Sequence, residues 1–90
     1  MENLKEYCVI FTYNFDTDSE VTMFGDDYEG ARRYLEDSFN EEVRIETEEN
    51  GWEVDTFIND QKTYAEICHN IGCGDVDICE YRLCTNVRRA

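Results

Sequence analysis

Apolar residues recur at helical spacing over residues 27–42 of this sequence. Four of them follow one another at intervals of three or four: Tyr28, Ala31, Leu35 and Phe39. Residues so spaced share one side of an α-helix and form a buried stripe. Asp26 or Asp27 supplies the N-cap carboxylate that such a helix needs at its start. The pattern therefore predicts an amphipathic helix with an acidic solvent side.

A tight hairpin is predicted directly after this helix. Residues 43–49 and 52–58 each alternate apolar with polar side chains, and they flank Asn50-Gly51. Asn-Gly is the strongest short hairpin signal, because both central residues of a type I′ turn have positive φ. We predict two strands with one buried and one acidic face. Trp52 opens the second strand, either as a core anchor covering the helix or as an exposed aromatic at a partner interface.

Four further segments have the β-branched and aromatic content of strands. They are residues 6–15, 20–24, 63–68 and 76–85. The resulting order is β-β-α-β-β-β-β within one domain spanning residues 1–90. We predict an α+β fold in which one helix packs on one face of a largely antiparallel sheet, while the opposite face carries much of the acid.

The excess of negative charge makes some classes of binding partner unfavourable. The chain has 22 acidic and 8 basic side chains, a formal net charge of −14, which makes direct binding to nucleic acid or to an anionic membrane unfavourable. Such acidity suits a basic protein partner, divalent cations or a salty cytoplasm. No apolar run approaches the length of a membrane span, and no charged-then-apolar leader begins the chain. We expect a soluble, cytoplasmic protein.

The cysteines are open to three interpretations: small core residues, zinc ligands or disulfide partners. Four of them are separated by four, five and four residues: Cys68, Cys73, Cys79 and Cys84. These gaps are loose for a four-thiolate zinc site. Cys79 and Cys84 would also point to opposite faces of a shared strand. We favour core residues and expect no metal or other cofactor, and the odd total of five indicates a reducing compartment.

No residue pattern supports a catalytic mechanism. His69 is the sole histidine and has no recognisable nucleophile arrangement around it. Asp16, Asp18 and Glu20 alternate as at the start of a calcium loop, but the required glycine and terminal glutamate are missing. The loop at residues 72–74 lacks the Lys-Ser/Thr of a phosphate loop. We therefore expect a protein that is not an enzyme.

Acidic residues cluster along the predicted helix and hairpin. Nine of them are candidates for partner binding: Glu36, Asp37, Glu41, Glu42, Glu46, Glu48, Glu49, Glu53 and Asp55. Acids at alternate strand positions are about 6.8 Å apart, and acids one helical turn apart are separated by about 6 Å. These distances are of the order of phosphate spacing along nucleic acid. The set is either a solvated surface or a functional negative surface.

A small, proline-free, strongly acidic α+β domain with an acidic helix and hairpin resembles the phage and mobile-element inhibitors that mimic DNA, including anti-CRISPR proteins that block Cas9. The resemblance covers composition and surface pattern over residues 26–55. It implies that carboxylates replace phosphates in the basic groove of a nucleic-acid-binding protein, such as the Cas effector groove that reads the PAM duplex. The alternative is a small accessory or regulatory domain, including a homodimer, whose acids only solubilise it.

Overall fold

The computed structural model describes residues 3–14, 19–70 and 75–89. Their elements, in chain order, are β1 (Asn3–Tyr13), β2 (Ser19–Gly25), α1 (Tyr28–Arg44), a π-helical segment (Ile45–Glu49), β3 (Val54–Ile58), β4 (Tyr64–Asn70) and β5 (Asp75–Arg89). The strands form one antiparallel sheet in the order β2-β1-β5-β4-β3. Helix α1 packs on one face of this sheet, so the predicted α+β class and helix-on-sheet architecture are confirmed.

The apolar stripe of α1 forms the centre of the core, as its spacing predicts. Ala31, Leu35 and Phe39 are buried beneath the helix. The helix begins where the Asp27 carboxylate accepts a hydrogen bond from the Gly30 backbone N–H at 2.9 Å. This contact satisfies one of the N–H groups that the first helical turn leaves without a partner. An exposed aspartate at the N-cap and a buried stripe therefore fix where α1 starts and which side it buries.

The two faces of the sheet differ in what covers them. Val9 of β1, Ile67 of β4 and Tyr81 of β5 face α1 and belong to its core. Side chains alternate along a strand, so Ile10 points to the opposite face, which α1 does not cover. That uncovered face also carries apolar Val21 and Met23 of β2, which are 55% and 61% exposed. Glu66 and Glu80 are paired on this uncovered face, whereas the acids of residues 36–49 lie on α1 and its extension, so the acid is divided between the two sides of the molecule.

The strand predicted over residues 43–49 is also wrong, because this segment is helical. Helix α1 continues to Arg44 and passes into the π-helical segment. Val43 packs against the core, and Glu46 is 1% exposed. These residues continue the buried side of α1 beyond Phe39, at intervals of four and three. Burial of that side explains why the strand-like alternation did not produce a strand.

The Asn50-Gly51 pair ends this helix instead of turning a hairpin. Asn50 has φ −90°, whereas a type I′ turn needs a positive value there, and Gly51 has φ +71°. A glycine with positive φ just after a helix is a common C-terminal stop. The Trp52 backbone N–H then donates to the Glu46 carbonyl at 2.9 Å. Gly51 therefore ends a helix, whereas the Asn-Gly motif predicted a turn between two strands.

The substitution Gly51→Ala is expected to lower the free energy of unfolding by about 1 kcal/mol, because a Cβ disfavours the left-handed region. No heavy atom beyond the immediate neighbours lies within 4 Å of the added Cβ, so backbone conformation is the expected cause. Urea unfolding measures the change. The control Gly51→Asn should lose less, because asparagine tolerates positive φ. Equal losses for both variants would contradict the backbone explanation.

Candidate functional site

An acidic groove lies between α1 and the β1–β2 hairpin. Its volume is about 450 Å³. The residues that line it are Phe11, Glu20, Tyr34, Asp37, Ser38, Glu41, Glu42 and Tyr81. Four of these are carboxylates, and none of these lining residues is lysine or arginine. We call this feature the acidic groove.

Strand register and helix docking together build the acidic groove. Glu20 is paired with Phe11 across β2 and β1, which brings this acid to the side facing α1. The Phe11 ring lies 4.8 Å from the Tyr81 ring, measured between centroids. The Tyr81 hydroxyl donates to the Ser38 carbonyl at 3.1 Å, which ties the helix to the sheet. The groove therefore combines aromatic rings from the sheet with acids from two elements, β2 and α1.

One arginine interacts with three acids at the C-terminal end of α1. Arg44 forms an ion pair with Glu41 at 2.6 Å and approaches Glu48 and Glu49 at 3.6 and 3.7 Å. Hydrogen bonding to Arg44 also holds the pKa of Glu41 below its usual value. Three carboxylates around one guanidinium leave an excess of negative charge. Together with exposed Asp37, these carboxylates form a surface that we call the acidic band: Asp37, Glu41, Glu48 and Glu49.

Of the five predicted acids outside the acidic band, two are kept out of it by an ion pair or by burial. Glu36 points to another side of α1, where it is paired with Lys62 at 3.2 Å. That side forms a second, mixed-charge concavity together with Arg32 and Arg33. Glu46 is buried inside the fold. A side chain that is 1% exposed offers almost no surface to a partner, so Glu46 is left out of the acidic band.

Buried Glu46 forms a carboxyl pair with Glu42, one helical turn earlier. The Glu42 carboxyl is hydrogen-bonded to Glu46, and Asn50 donates its side-chain amide to Glu46 at 3.3 Å. Burial, followed by the hydrogen bond and charge of Glu46, raises the pKa of Glu42 to about 7. Two carboxyls in contact cannot both ionise without strong repulsion. The pair therefore holds a proton up to neutral pH, and Glu42 presents a partly protonated wall to the acidic groove.

The last two predicted acids lie beyond the helix. Glu53 and Asp55 are both exposed. Asp55 belongs to β3, an edge strand of the sheet, where it is paired with Cys68. Six of the nine predicted residues are therefore exposed, while Glu42 and Glu36 are half-buried and Glu46 is buried. The acids predicted on a helix and a hairpin instead lie on the extended helix, on edge strand β3 and, for Glu53, on the segment between them.

The remaining candidate residues fall into three groups. Cys79 is 2% exposed and is the core residue that was predicted, while Cys68 and Cys84 are half-buried. His69 stacks on Trp52 with ring centroids 4.7 Å apart, and Trp52 packs partly buried against the core. Within the described ranges, no cluster of three or more His, Cys, Asp or Glu residues is placed to hold a metal ion. Residues 16, 18 and 72–74, including Cys73, lie outside the described part of the chain.

Neither helical segment in the described residues is long and apolar enough to cross a membrane. Comparisons with known proteins give no relative. No protein family, curated protein or solved structure matches this chain.

Sequence reasoning missed Glu20, Tyr34 and Tyr81 as parts of the site. Glu20 was predicted only as the first residue of the strand over residues 20–24, although its position on a strand that pairs with the β1 aromatics was a usable signal. The Glu42–Glu46 contact was also missed. Its signal is an acid four residues from another acid on the extended apolar stripe, a spacing at which side chains meet on a helix.

Proposed function

We propose that this protein is a non-enzymatic inhibitor that presents carboxylates to the basic groove of a nucleic-acid-binding protein. In its specific form, the proposal is an anti-CRISPR protein that blocks DNA binding by Cas9. The carboxylates stand where DNA phosphates would lie, so the partner's arginines and lysines bind protein instead of nucleic acid. The chain itself contacts no nucleic acid and no membrane.

The observation that carries this proposal is the excess of exposed acid along α1 and its π-helical end. Residues 26–55 contain twelve acids and three arginines. Glu48 and Glu49 have side chains 69% and 59% exposed, and Arg44 is the arginine that they share. Isolated surface ion pairs contribute little affinity. An array on a rigid helix acts together, attracting a basic surface and raising the association rate.

The acidic groove supplies the other element that a tight complex needs. Affinity usually depends on a few well-packed contacts near the centre of an interface, with arginine and tyrosine prominent among them. The groove offers the rings of Phe11 and Tyr34 below the carboxylates of Asp37 and Glu41. A guanidinium from the partner would meet acids and ring faces together. We assign this groove to an arginine side chain of the partner.

The thiols support a cytoplasmic location for this activity. Among the described residues, Cys8, Cys68, Cys79 and Cys84 form no disulfide. Free thiols are typical of a reducing compartment, where disulfides rarely persist. Cas effectors and other nucleic-acid enzymes that the inhibitor would meet work in the same compartment.

A gel-shift assay of target-DNA binding by guide-loaded Cas9 tests the proposal. We expect the pure protein to prevent the shift at low salt and to lose this effect as salt rises, because electrostatic association is screened. Adding the protein after the DNA complex has formed should inhibit less than adding it before. Inhibition that does not change with salt would contradict phosphate mimicry. No inhibition at a large molar excess would contradict the Cas9 form of the proposal.

A second candidate function is a small accessory or regulatory domain that pairs with a copy of itself. The exposed apolar side chains of Val21 and Met23 on edge strand β2 favour it, as does Phe57, 51% exposed on the opposite edge strand β3. Exposed apolar residues at sheet edges are typical association points. Sedimentation analysis of the pure protein separates the two candidates: a stable dimer favours the accessory domain, and a monomer favours the inhibitor.

A further inference from the structure

Two cysteines face each other across the central strands of the sheet. Cys8 of β1 and Cys84 of β5 are direct partners in the antiparallel ladder. Directly opposed residues in such a ladder have Cα atoms about 4.5–5.5 Å apart. Disulfides form across Cα separations of about 4.4–6.8 Å. The strand register alone therefore places this pair at a distance that a disulfide can bridge.

The side chains as well as the backbone are suitably placed. The two thiols are in hydrogen-bonding contact, and both are free and half-buried. Val9 and Leu83, their neighbours along β1 and β5, pack with the core under α1. Alternation along the strands therefore turns Cys8 and Cys84 to the face that α1 leaves uncovered. A small oxidant can approach the pair from that face.

We propose that Cys8 and Cys84 form a reversible intramolecular disulfide when the protein meets hydrogen peroxide or a small-molecule disulfide. With peroxide, the thiolate of one cysteine attacks an oxygen, the O–O bond breaks, and a sulfenic acid and one water result. The thiolate of the other cysteine attacks that sulfur, the S–S bond forms, and the S–O bond breaks to release a second water. Two thiols are oxidised as one peroxide is reduced. A dithiol reductant restores both thiols by exchange.

The strand register places neither Cys68 nor Cys79 directly opposite another cysteine. Cys79 lies in the core, and burial raises its pKa to about 12, so its thiolate is scarce. The ladder partners of Cys68 are Asp55 on β3 and Asp77 on β5. Burial also raises the pKa of Cys8. We therefore expect oxidation of the pair to be slow at neutral pH and to accelerate as the pH rises.

The position of the pair determines what the disulfide would do. β1 and β5 are adjacent in the middle of the sheet order, so the bond would join its β2–β1 half to its β5–β4–β3 half. It would also close a loop containing most of the chain, and long loops gain most in the chain-entropy account of disulfide stabilisation. The acidic band lies on the helix side of the sheet. The inference therefore goes beyond the proposed function and does not depend on it.

Mass spectrometry of the full-length protein, oxidised while folded with hydrogen peroxide or oxidised glutathione, tests the inference. We expect a monomer that has lost two hydrogen atoms, with a peptide link between Cys8 and Cys84 in a non-reducing digest. The unfolding midpoint should rise by about 10 °C and return after dithiothreitol treatment. Cys8→Ser and Cys84→Ser should each abolish both changes. Having both variants keeps the test intact if one of them fails to fold.

The matched control is Cys68→Ser, which removes one thiol and leaves the pair in place. It should oxidise and gain stability as the wild type does. Three results would overturn the inference: a disulfide between other cysteines, disulfide-linked dimers as the main product, or an oxidised monomer with an unchanged unfolding midpoint. None of these results bears on Cas9 inhibition, so the two proposals fail separately.

Discussion

Raising the pH from about 5 to about 8 is expected to lower the free energy of unfolding by about 2 kcal/mol, because the Glu42–Glu46 pair loses its proton. Glu46 is 1% exposed, and Glu42 is hydrogen-bonded to it. When Glu42 ionises, its negative charge appears beside the Glu46 carboxyl in a poorly solvated site. A change of this size is a substantial part of the about 5–13 kcal/mol expected for a domain of this length.

The direction follows from the proton balance between folded and unfolded protein. Glu42 has a pKa of about 7 when folded and an ordinary value of 4.5 when unfolded. Between these values the folded protein binds more protons, so its stability falls as the pH rises. The stabilisation is fully present below about pH 4.5 and is lost through about pH 7. A carboxylate held by an arginine, as Glu41 is by Arg44, gives the opposite trend.

The groups packed around the pair do not titrate in this range. Tyr13 of β1 and Cys79 of β5 both have a raised pKa, owing first to burial and then to the two glutamates. Their ordinary values already lie above pH 8. Both stay neutral while Glu42 ionises. The loss of stability over this interval is therefore assigned to the carboxyl pair.

Urea unfolding of the wild type and of Glu42→Gln, each measured across this pH interval, tests the expectation. The variant should keep its stability at high pH, because glutamine donates a hydrogen bond to Glu46 without ionising. Glu48→Gln is the matched control: it removes one carboxylate from an exposed position of the same helix. It should retain the wild-type pH dependence. A Glu42→Gln protein that loses stability as the wild type does would contradict the shared-proton explanation.

Much of this fold was predictable because local and tertiary preferences agree along most of the chain. The apolar stripe containing Leu35 and Phe39 has helical spacing, and it also buries the apolar face of the sheet. Both effects favour a helix, so α1 forms where it was predicted. The aromatic run around Val9 and Phe11 predicts a buried strand, and β1 lies inside the sheet with a partner on each side. Where the local sequence pattern and the tertiary packing favour the same secondary structure, that structure can be predicted from the sequence.

Over residues 43–49, the local sequence pattern and the tertiary packing favour different structures. Alternation over Val43, Ile45 and Thr47 fits a strand, while Phe39, Val43 and Glu46 fit the next turns of a helix. Burial of Val43 against the core decides the outcome, and tertiary packing commonly overrides a local preference in this way. Asn50-Gly51 could not correct the error, since a positive φ at glycine serves both a hairpin turn and a helix end.

The candidate site was predictable in composition but not in arrangement. The acids of residues 36–55 can be counted in the sequence. Their availability depends on neighbours that only the fold supplies, such as Lys62 beside Glu36 and the core around Glu46. The acidic groove likewise needs the pairing of Glu20 with Phe11, a register that no local pattern sets. Charge therefore predicts a basic partner without showing one, and packing determines which carboxylates are exposed to solvent.

Charge reversal in the acidic band is expected to weaken partner binding by about 100-fold at low salt. The variant carries three substitutions at exposed positions of α1 and its π-helical end: Asp37→Lys, Glu48→Lys and Glu49→Lys. Complementary charge raises association rates by about 10–1,000-fold, and reversed charge removes that gain and adds repulsion. Glu46 is left unchanged because reversing a buried residue would test folding instead of binding. Surface plasmon resonance against guide-loaded Cas9, together with the unfolding midpoint, measures both properties.

The matched control reverses three exposed acids near the other end of the helix, with the same change in net charge: Asp26→Lys, Glu29→Lys and Asp60→Lys. It should bind within a few-fold of the wild type, since Debye screening confines the effect of a surface charge to about 8 Å at physiological salt. The difference between the two variants should shrink as salt rises, and most of it should lie in the association rate. Equal weakening by both variants would mean that binding responds only to net charge, and a band variant that folds and binds like the wild type would exclude the acidic band as the interface.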